Sequence, residues 1–161
     1  MNNGLNQFEG AAFPPLDAVD HKIIAELSTD GRMSFAELGR RTNLSSPAVA
    51  DRVKRLEQAG VITGYRAEID PRALGYQLTA IVRVKPVVRQ LSKIAELAGE
   101  IPQVEECLRI TGEDCFYVKL HLGSIEELPN VLDQFLLYGE TTTSIVNATP
   151  VARRDPPPHS A

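Results

Sequence analysis

The stretch Ser34–Tyr65, SFAELGRRTNLSSPAVADRVKRLEQAGVITGY, constrains the fold more than any other. It holds two short amphipathic segments joined by the polar pair Thr42-Asn43, and the second carries the basic residues Arg52, Lys54 and Arg55. Ser34 with Glu37 three residues on has capping-box spacing, in which each side chain satisfies a backbone N–H at the helix start. Phe35 and Leu38 are the expected buried side of the first helix, with Arg40 and Arg41 exposed. In the second, Ser45 or Ser46 is placed to cap, and Pro47 fits a first turn whose N–H groups have no helical partner anyway. Val49, Val53 and Leu56 recur at i, i+4 and i+7 and share one face. Pro47, Asp51 and Lys54 point away from that stripe, Ala48 and Arg55 flank it, and Arg52 lies nearer the buried side. Gly60 ends the segment, because a residue free to take positive φ commonly stops a helix. This is the layout of a helix-turn-helix; by itself it also fits a solvated basic face on an ordinary core helix.

Upstream, Leu16-Asp17 opens an earlier helix, with Asp17 as cap and Val19, Ile23 and Leu27 on one stripe beside Ile24. Asp30-Gly31 is a strong turn signal. Three helices, the third basic, followed by Val61-Ile62-Thr63-Gly64-Tyr65-Arg66, predict a winged helix-turn-helix over residues 16–66, with Gly64 turning the wing and Arg66 in reach of a phosphate. Residues 1–15 mix Asn, Gly and Gln with prolines, have no period and read as a mobile arm. They lack the pattern of a secretion signal, and no run approaches the roughly 20 apolar residues of a membrane span, so the expected location is the cytoplasm and no membrane partner is expected. The two cysteines, Cys107 and Cys115, suit a reducing compartment and are too few for a structural zinc site; they read as half-buried strand residues. No metal or cofactor is expected.

A net charge of −4 argues on its face against a nucleic-acid partner. Its distribution matters more. From Asp17 to Arg66 there are eight Lys/Arg against seven Asp/Glu, whereas from Ala67 to Ala152 there are seven against twelve, so the acidity sits in the second half. An N-terminal unit that is basic on one helix still presents a positive surface to phosphates.

Residues 67–76 read as a linker, broken by Asp70-Pro71 and Leu74-Gly75-Tyr76. Gln77 to Val84 alternates, with Leu78, Ala80, Val82 and Val84 on one side of a strand. Leu91, Ile94, Ala98 and Ile101 have helical spacing. Val104 to Ile110 and Phe116 to Leu122 are strands joined by Thr111-Gly112-Glu113-Asp114, a tight hairpin turn. Ser124 and Glu127 repeat the capping-box spacing and start a helix with Leu128, Val131, Leu132 and Phe135 inside. Thr141 to Val151, rich in β-branched residues, is a last strand. The order β-α-β-β-α-β over residues 77–152 is the ferredoxin-like pattern, giving an α+β protein of two domains. Residues 153–161, with Pro156-Pro157-Pro158, form a stiff or disordered tail.

In this order and at these spacings, Leu16-Asp17, Asp30-Gly31-Arg32, Glu37-Leu38, Leu44-Ser45, Arg52-Val53-Lys54-Arg55-Leu56-Glu57, Gly60-Val61-Ile62, Gly64-Tyr65 and Thr111-Gly112-Glu113-Asp114 resemble the leucine-responsive regulator (Lrp/AsnC) family of transcription factors, across about residues 16 to 152. The resemblance implies a homodimer through the ferredoxin-like domains, often assembled further into octamers. It also implies double-stranded DNA read by two heads and a small molecule, usually an amino acid, bound between subunits. The physics agrees, because a four-stranded sheet with helices on one face leaves its other face bare unless a second sheet covers it, and the resulting two-fold axis matches a roughly palindromic site.

For DNA, Ser46, Ala48, Asp51 and Arg55 are expected near base edges, and Arg40, Arg52, Lys54 and Arg66 on phosphates, with Arg52 alternatively packed along the helix-one interface and reaching the backbone only with its head. Arg55 can take guanine O6 and N7 together, or pair with Asp51 one turn earlier. For the effector, the turn Thr111, Gly112, Glu113 and Asp114 offers N–H donors for a carboxylate and acceptors for an ammonium, or is a plain hairpin turn with solvated acids. Thr141, Thr142, Thr143 and Ser144 offer hydroxyls, with Thr142 and Ser144 assigned to the effector. The family often has an aromatic just after the turn acid; here Cys115-Phe116 stands there. The same two-domain body also resembles the sirohaem decarboxylases, whose chemistry calls for histidines converging on a large pocket. His21, His121 and His159 do not cluster in sequence, His121 reads as an exposed strand residue, and no nucleophile motif or phosphate-binding loop appears. A ligand sensor without DNA binding calls for an impaired second helix, and this one is intact.

Overall fold

The computed structural model describes residues 13–154 and Pro156. Most of the N-terminal arm, residues 1–12, and of the tail, Asp155 and residues 157–161 with His159, lies outside the described residues. The chain divides into two compact units, with breaks between Ala67 and Glu68 and between Ala152 and Arg153.

The first unit is three helices: α1 (Ala18–Thr29), α2 (Phe35–Thr42) and α3 (Ser46–Gln58). Asp17 caps α1, accepting from Val19 N and Asp20 N at 2.9 and 2.8 Å, while the Asp20 carboxylate returns to Asp17 N at 3.2 Å. A full capping box therefore forms here, where it was not expected. At α2 only half of the expected box forms: Ser34 accepts from Glu37 N, but the Glu37 carboxylate turns to Arg40 and Arg41. The core is Ile23, Leu38, Val49, Val53 and Leu56, with Val19, Ile24 and Leu27 packed against it. Phe35 is not part of it and stays 46% exposed, because the buried line of α2 is Leu38, Gly39 and Thr42. Asn43, in the left-handed region at φ 59°, makes the turn, and its N–H and that of Leu44 both donate to Gly39 O. Gly60, at φ 71°, follows the end of α3.

The expected wing is a correction. Residues 63–70 form no strand, because no second strand of the unit is there to pair with them among the described residues. Tyr65 instead donates its hydroxyl to Glu57 Oε1 at 3.0 Å, turning the segment back along α3.

The second unit opens on a 3-10 turn, Pro71–Leu74, capped by Asp70, and continues as β1 (Leu78–Pro86), α4 (Leu91–Glu100), β2 (Val104–Arg109), β3 (Phe116–Leu122), a 3-10 turn Ile125–Glu127, α5 (Leu128–Leu136) and β4 (Gly139–Ile145). The sheet is antiparallel throughout, in the order β2-β3-β1-β4. Ala80, Val82 and Val84 of β1 and Phe116, Val118, Leu120 and Leu122 of β3 form a core with Ile94, Ala98, Val131 and Phe135 of the two helices. Both helices thus cover one face. Phe135 is fully buried there, and truncating such a ring to alanine costs about 3–5 kcal/mol.

The start of α5 and the extent of the last strand differ most from expectation. Ser124 makes no cap; the 3-10 turn precedes α5 and Glu127 accepts from Gly123 N instead. The last strand begins earlier and ends earlier than Thr141–Val151. Its limits are set by β1, whose partners run from Pro86 opposite Gly139 to Ala80 opposite Ile145, with one more bond from Val146 N to Thr79 O. Gly139, the first residue of the strand, admits no side chain, because a Cβ there would lie 2.5 Å from Lys85 O.

Candidate DNA-reading helix and effector face

Ser45 caps α3, accepting from Ala48 N at 3.4 Å, so Ser46 is the first helical residue and is exposed. Asp51, Lys54 and Arg55 are exposed on the outer side of α3, and Ala48 is half-buried. The pairing of the charges departs from expectation. Arg55 does not pair with Asp51. Its Nη2 donates to both oxygens of Asp20, at 2.9 and 2.8 Å. Arg52 donates Nη1 to Asp20 Oδ1 at 2.8 Å and to Asp17 Oδ2 at 2.7 Å. Hydrogen bonds, first from Asp20 N–H and then from Arg52, hold the Asp17 carboxyl below the usual carboxylate range; Arg52 is raised in turn, first by Asp17 and then by Asp20. Arg40 pairs with Glu37, and Arg41 bridges Glu37 and Glu26 at 2.8 and 2.7 Å, tying α2 to α1. Of the cations expected on phosphates, Arg40 and Arg52 are therefore engaged within the unit, while Lys54 and Arg66 form no ion pair among the described residues.

In the second unit, the residues of β1 that alternate with the core stripe, Ile81, Arg83 and Lys85, lie on the helix-free face. Their β4 partners are Ser144, Thr142 and Glu140. Thr142 and Ser144 therefore share that face, whereas Thr143, opposite the buried Val82, points to the helices with its Oγ1 buried and unpartnered. Parity puts Thr141 on that side as well, so the four hydroxyls do not act together. The β2–β3 connection is a loop, Ile110–Cys115, wider than a tight hairpin turn and closed by Ile110 N to Cys115 O at 2.7 Å. Gly112 takes φ 111° and Cys115 φ 31°. The turn acids are not free: Asp114 accepts from Arg83 Nη1 at 3.0 Å and Glu113 from Lys85 Nζ at 3.2 Å. Thr111 and Gly112 are exposed beside them. Thus Asp114, Arg83 and Thr142 come together on one face, with Leu108, Ile81 and Tyr117 supplying apolar surface nearby. A cavity of about 280 Å³ opens elsewhere in this unit, lined by Arg72, Tyr76, Thr79, Asn147 and Thr149 among others; none of the expected effector residues lines it.

Residues 16–57 match the model of the AsnC-type helix-turn-helix domain, and residues 79–156 that of the Lrp/AsnC ligand binding domain. The HTH-type transcriptional regulator LrpC of Bacillus subtilis is 34% identical over 81% of this chain and 91% of its own. The chain belongs to the Lrp/AsnC family. It is a DNA-binding transcriptional regulator with a ligand-binding second domain. Two solved Lrp/AsnC-like structures hold L-methionine: the feast or famine regulatory protein of Mycobacterium tuberculosis (TM-score 0.84, 33% identity, 89% of this chain and 100% of that one) and a transcriptional regulator of Neisseria meningitidis (TM-score 0.79, 25% identity, 87% and 94%).

Within this Lrp/AsnC chain, sequence reasoning missed Asp20, Arg83 and Lys85. The signal for the last two was present, since charges alternating with Ala80, Val82 and Val84 mark a face that is not core. His121 was misjudged: its ring is only 13% exposed, with Nδ1 3.0 Å from Thr79 Oγ1 and Nε2 2.9 Å from Glu105. Cys107 and Cys115 are half-buried, and burial holds the Cys107 thiol above its ordinary value. No group of His, Cys, Asp or Glu suited to a metal ion occurs among the described residues, and no helix there is long and apolar enough to cross a membrane.

Proposed function

We propose that two copies of this regulator, joined through the helix-free faces of their sheets, read a roughly two-fold-symmetric DNA site with α3 and respond to a free amino acid held at the loop Ile110–Cys115. The observation that carries the reading is the juxtaposition of opposite charges, Arg83 with Asp114 and Lys85 with Glu113, beside the hydroxyls of Thr142 and Ser144 on an uncovered face. A zwitterion needs a cation for its carboxylate and an anion for its ammonium, and such a surface supplies both. It is open in a single chain, so a second copy is needed to exclude water from it. The methionine held by two relatives supports an amino-acid effector here.

At the DNA, Lys54 and Arg66 contact phosphates, Ser46, Ala48, Asp51 and Arg55 face base edges, and Arg40 and Arg52 brace the helices that present them. The regulator reading is better supported than the decarboxylase one: the relatives carry regulator names, and His121 is occupied by Thr79 and Glu105. The dimer is the smallest assembly that works, and a higher one is built from it.

The test is fluorescence anisotropy on DNA from upstream of the protein's own gene, across a salt series, with light scattering on the same samples and a panel of amino acids that includes L-methionine. Salt-sensitive binding that exceeds binding to random DNA, with one amino acid changing affinity or assembly, is the expected result. If no amino acid changes either, the effector reading is wrong for this protein.

A further inference from the structure

Asp20, in the first turn of α1, is the one fully buried charged residue among the described residues, with 2% of its side chain exposed. Its oxygens accept from Asp17 N, from Arg52 Nη1 and from Arg55 Nη2. The two arginines are held unequally. Arg52 has a second carboxylate in Asp17, whereas Arg55 has Asp20 alone. A single nitrogen of Arg55 satisfies both Asp20 oxygens, so Nη1 and Nε keep their hydrogens for other acceptors, and the side chain remains 57% exposed on α3.

A buried carboxylate does not readily release its counter-charge to a solvated phosphate, because the carboxylate would be left uncompensated where water cannot reach it. Arg55 is therefore not a free cation on a flexible stem. Its planar fork is fixed at one end, which lowers the freedom lost when the remaining N–H groups bind. We propose that Asp20 is a positioning residue for sequence reading: it withdraws Arg55 from the phosphate backbone and presents the arginine's free N–H groups to base edges, leaving phosphate contact to Lys54. The proposal rests on the DNA-reading role of α3 and goes beyond it by naming what aims the reader.

The test compares wild type, D20N, R55A and the double variant on the protein's own site and on random DNA, each across a salt series, with circular dichroism as the check on folding. In D20N the charge of Arg55 is released while Asp17 keeps Arg52. On random DNA the slope of log affinity against log salt steepens by about 0.9, the contribution of one added phosphate contact, and binding tightens. Preference for the specific site falls by about tenfold or more, the scale of one charge-assisted hydrogen bond to a base edge. R55A leaves the slope unchanged and loses the same preference, and adding it to D20N costs no further preference. D20N with wild-type slope and preference overturns the proposal. So does R55A that makes the slope shallower by about 0.9 while keeping preference, an outcome readable even if D20N does not fold. Wild type that binds no DNA at low salt removes the underlying role of α3, and this proposal with it.

Discussion

Replacing Gly39 by alanine tests the closure of the helix-turn-helix. An added Cβ would lie 2.6 Å from Leu44 O, where ordinary contact begins near 3.4 Å, so the turn must open by about 0.8 Å. It cannot do so freely, because Leu44 N donates to Gly39 O at 2.9 Å and the Asn43 N–H shares that acceptor. Overpacking of this kind costs about 1–3 kcal/mol, and the helix propensity of alanine over glycine returns at most about 1 kcal/mol. The net is a destabilisation of the first unit by roughly 1–2 kcal/mol, or a melting point lower by about 5 °C or more. Gly99, near the end of α4, is the control: a Cβ there meets nothing within 4 Å, so alanine should stabilise the second unit by about 0.5–1 kcal/mol. Calorimetry, following each unit's transition, reads both. A Gly39→Ala protein that melts at or above wild type would refute the argument that the turn's backbone, rather than its side chains, sets the approach of α2 to α3.

Thr143→Val removes a buried hydroxyl with no partner and should raise the melting point of the second unit, by up to about 1 kcal/mol in unfolding free energy; a fall would mean the hydroxyl is satisfied in solution. Glu105 is held below the usual carboxylate value of 4.5, first by Lys119 and then by His121. A depressed carboxylate adds stability that is full above its unfolded pKa and lost as pH falls through the folded one. Glu105→Gln should therefore flatten the decline of melting point below about pH 4.5, and an unchanged profile would contradict the pairing. Arg83→Ala frees Asp114 at an exposed ion pair, so thermal stability should change by less than about 1 kcal/mol while the response of DNA binding to an amino acid weakens. Retention of the full response would place the effector elsewhere.

Periodicity is a local property of the chain, and where it is long enough it settles the element. Phe116 to Leu122 alternates so cleanly that β3 has the bounds the pattern predicts, and Val49, Val53 and Leu56 are buried as their spacing requires. The element order of the second unit follows from the same reasoning. Pairing is not local. Whether Thr142 or Thr143 faces the helix-free side depends on the register of β4 against β1, and where β4 ends depends on where β1 begins. Among the described residues the expected wing has no partner strand, which no pattern within residues 61–66 could reveal.

The candidate sites divide in the same way. The sequence by itself determined a basic second helix behind a polar turn, and a glycine-containing acidic loop between two strands. Only the tertiary structure decided that Arg55 answers to Asp20 rather than to Asp51, and that Asp114 answers to Arg83. The reason is electrostatic. Neighbours one turn apart on an exposed helix gain little in water, whereas a carboxylate buried by packing must take its counter-charge from whichever element the fold brings to it.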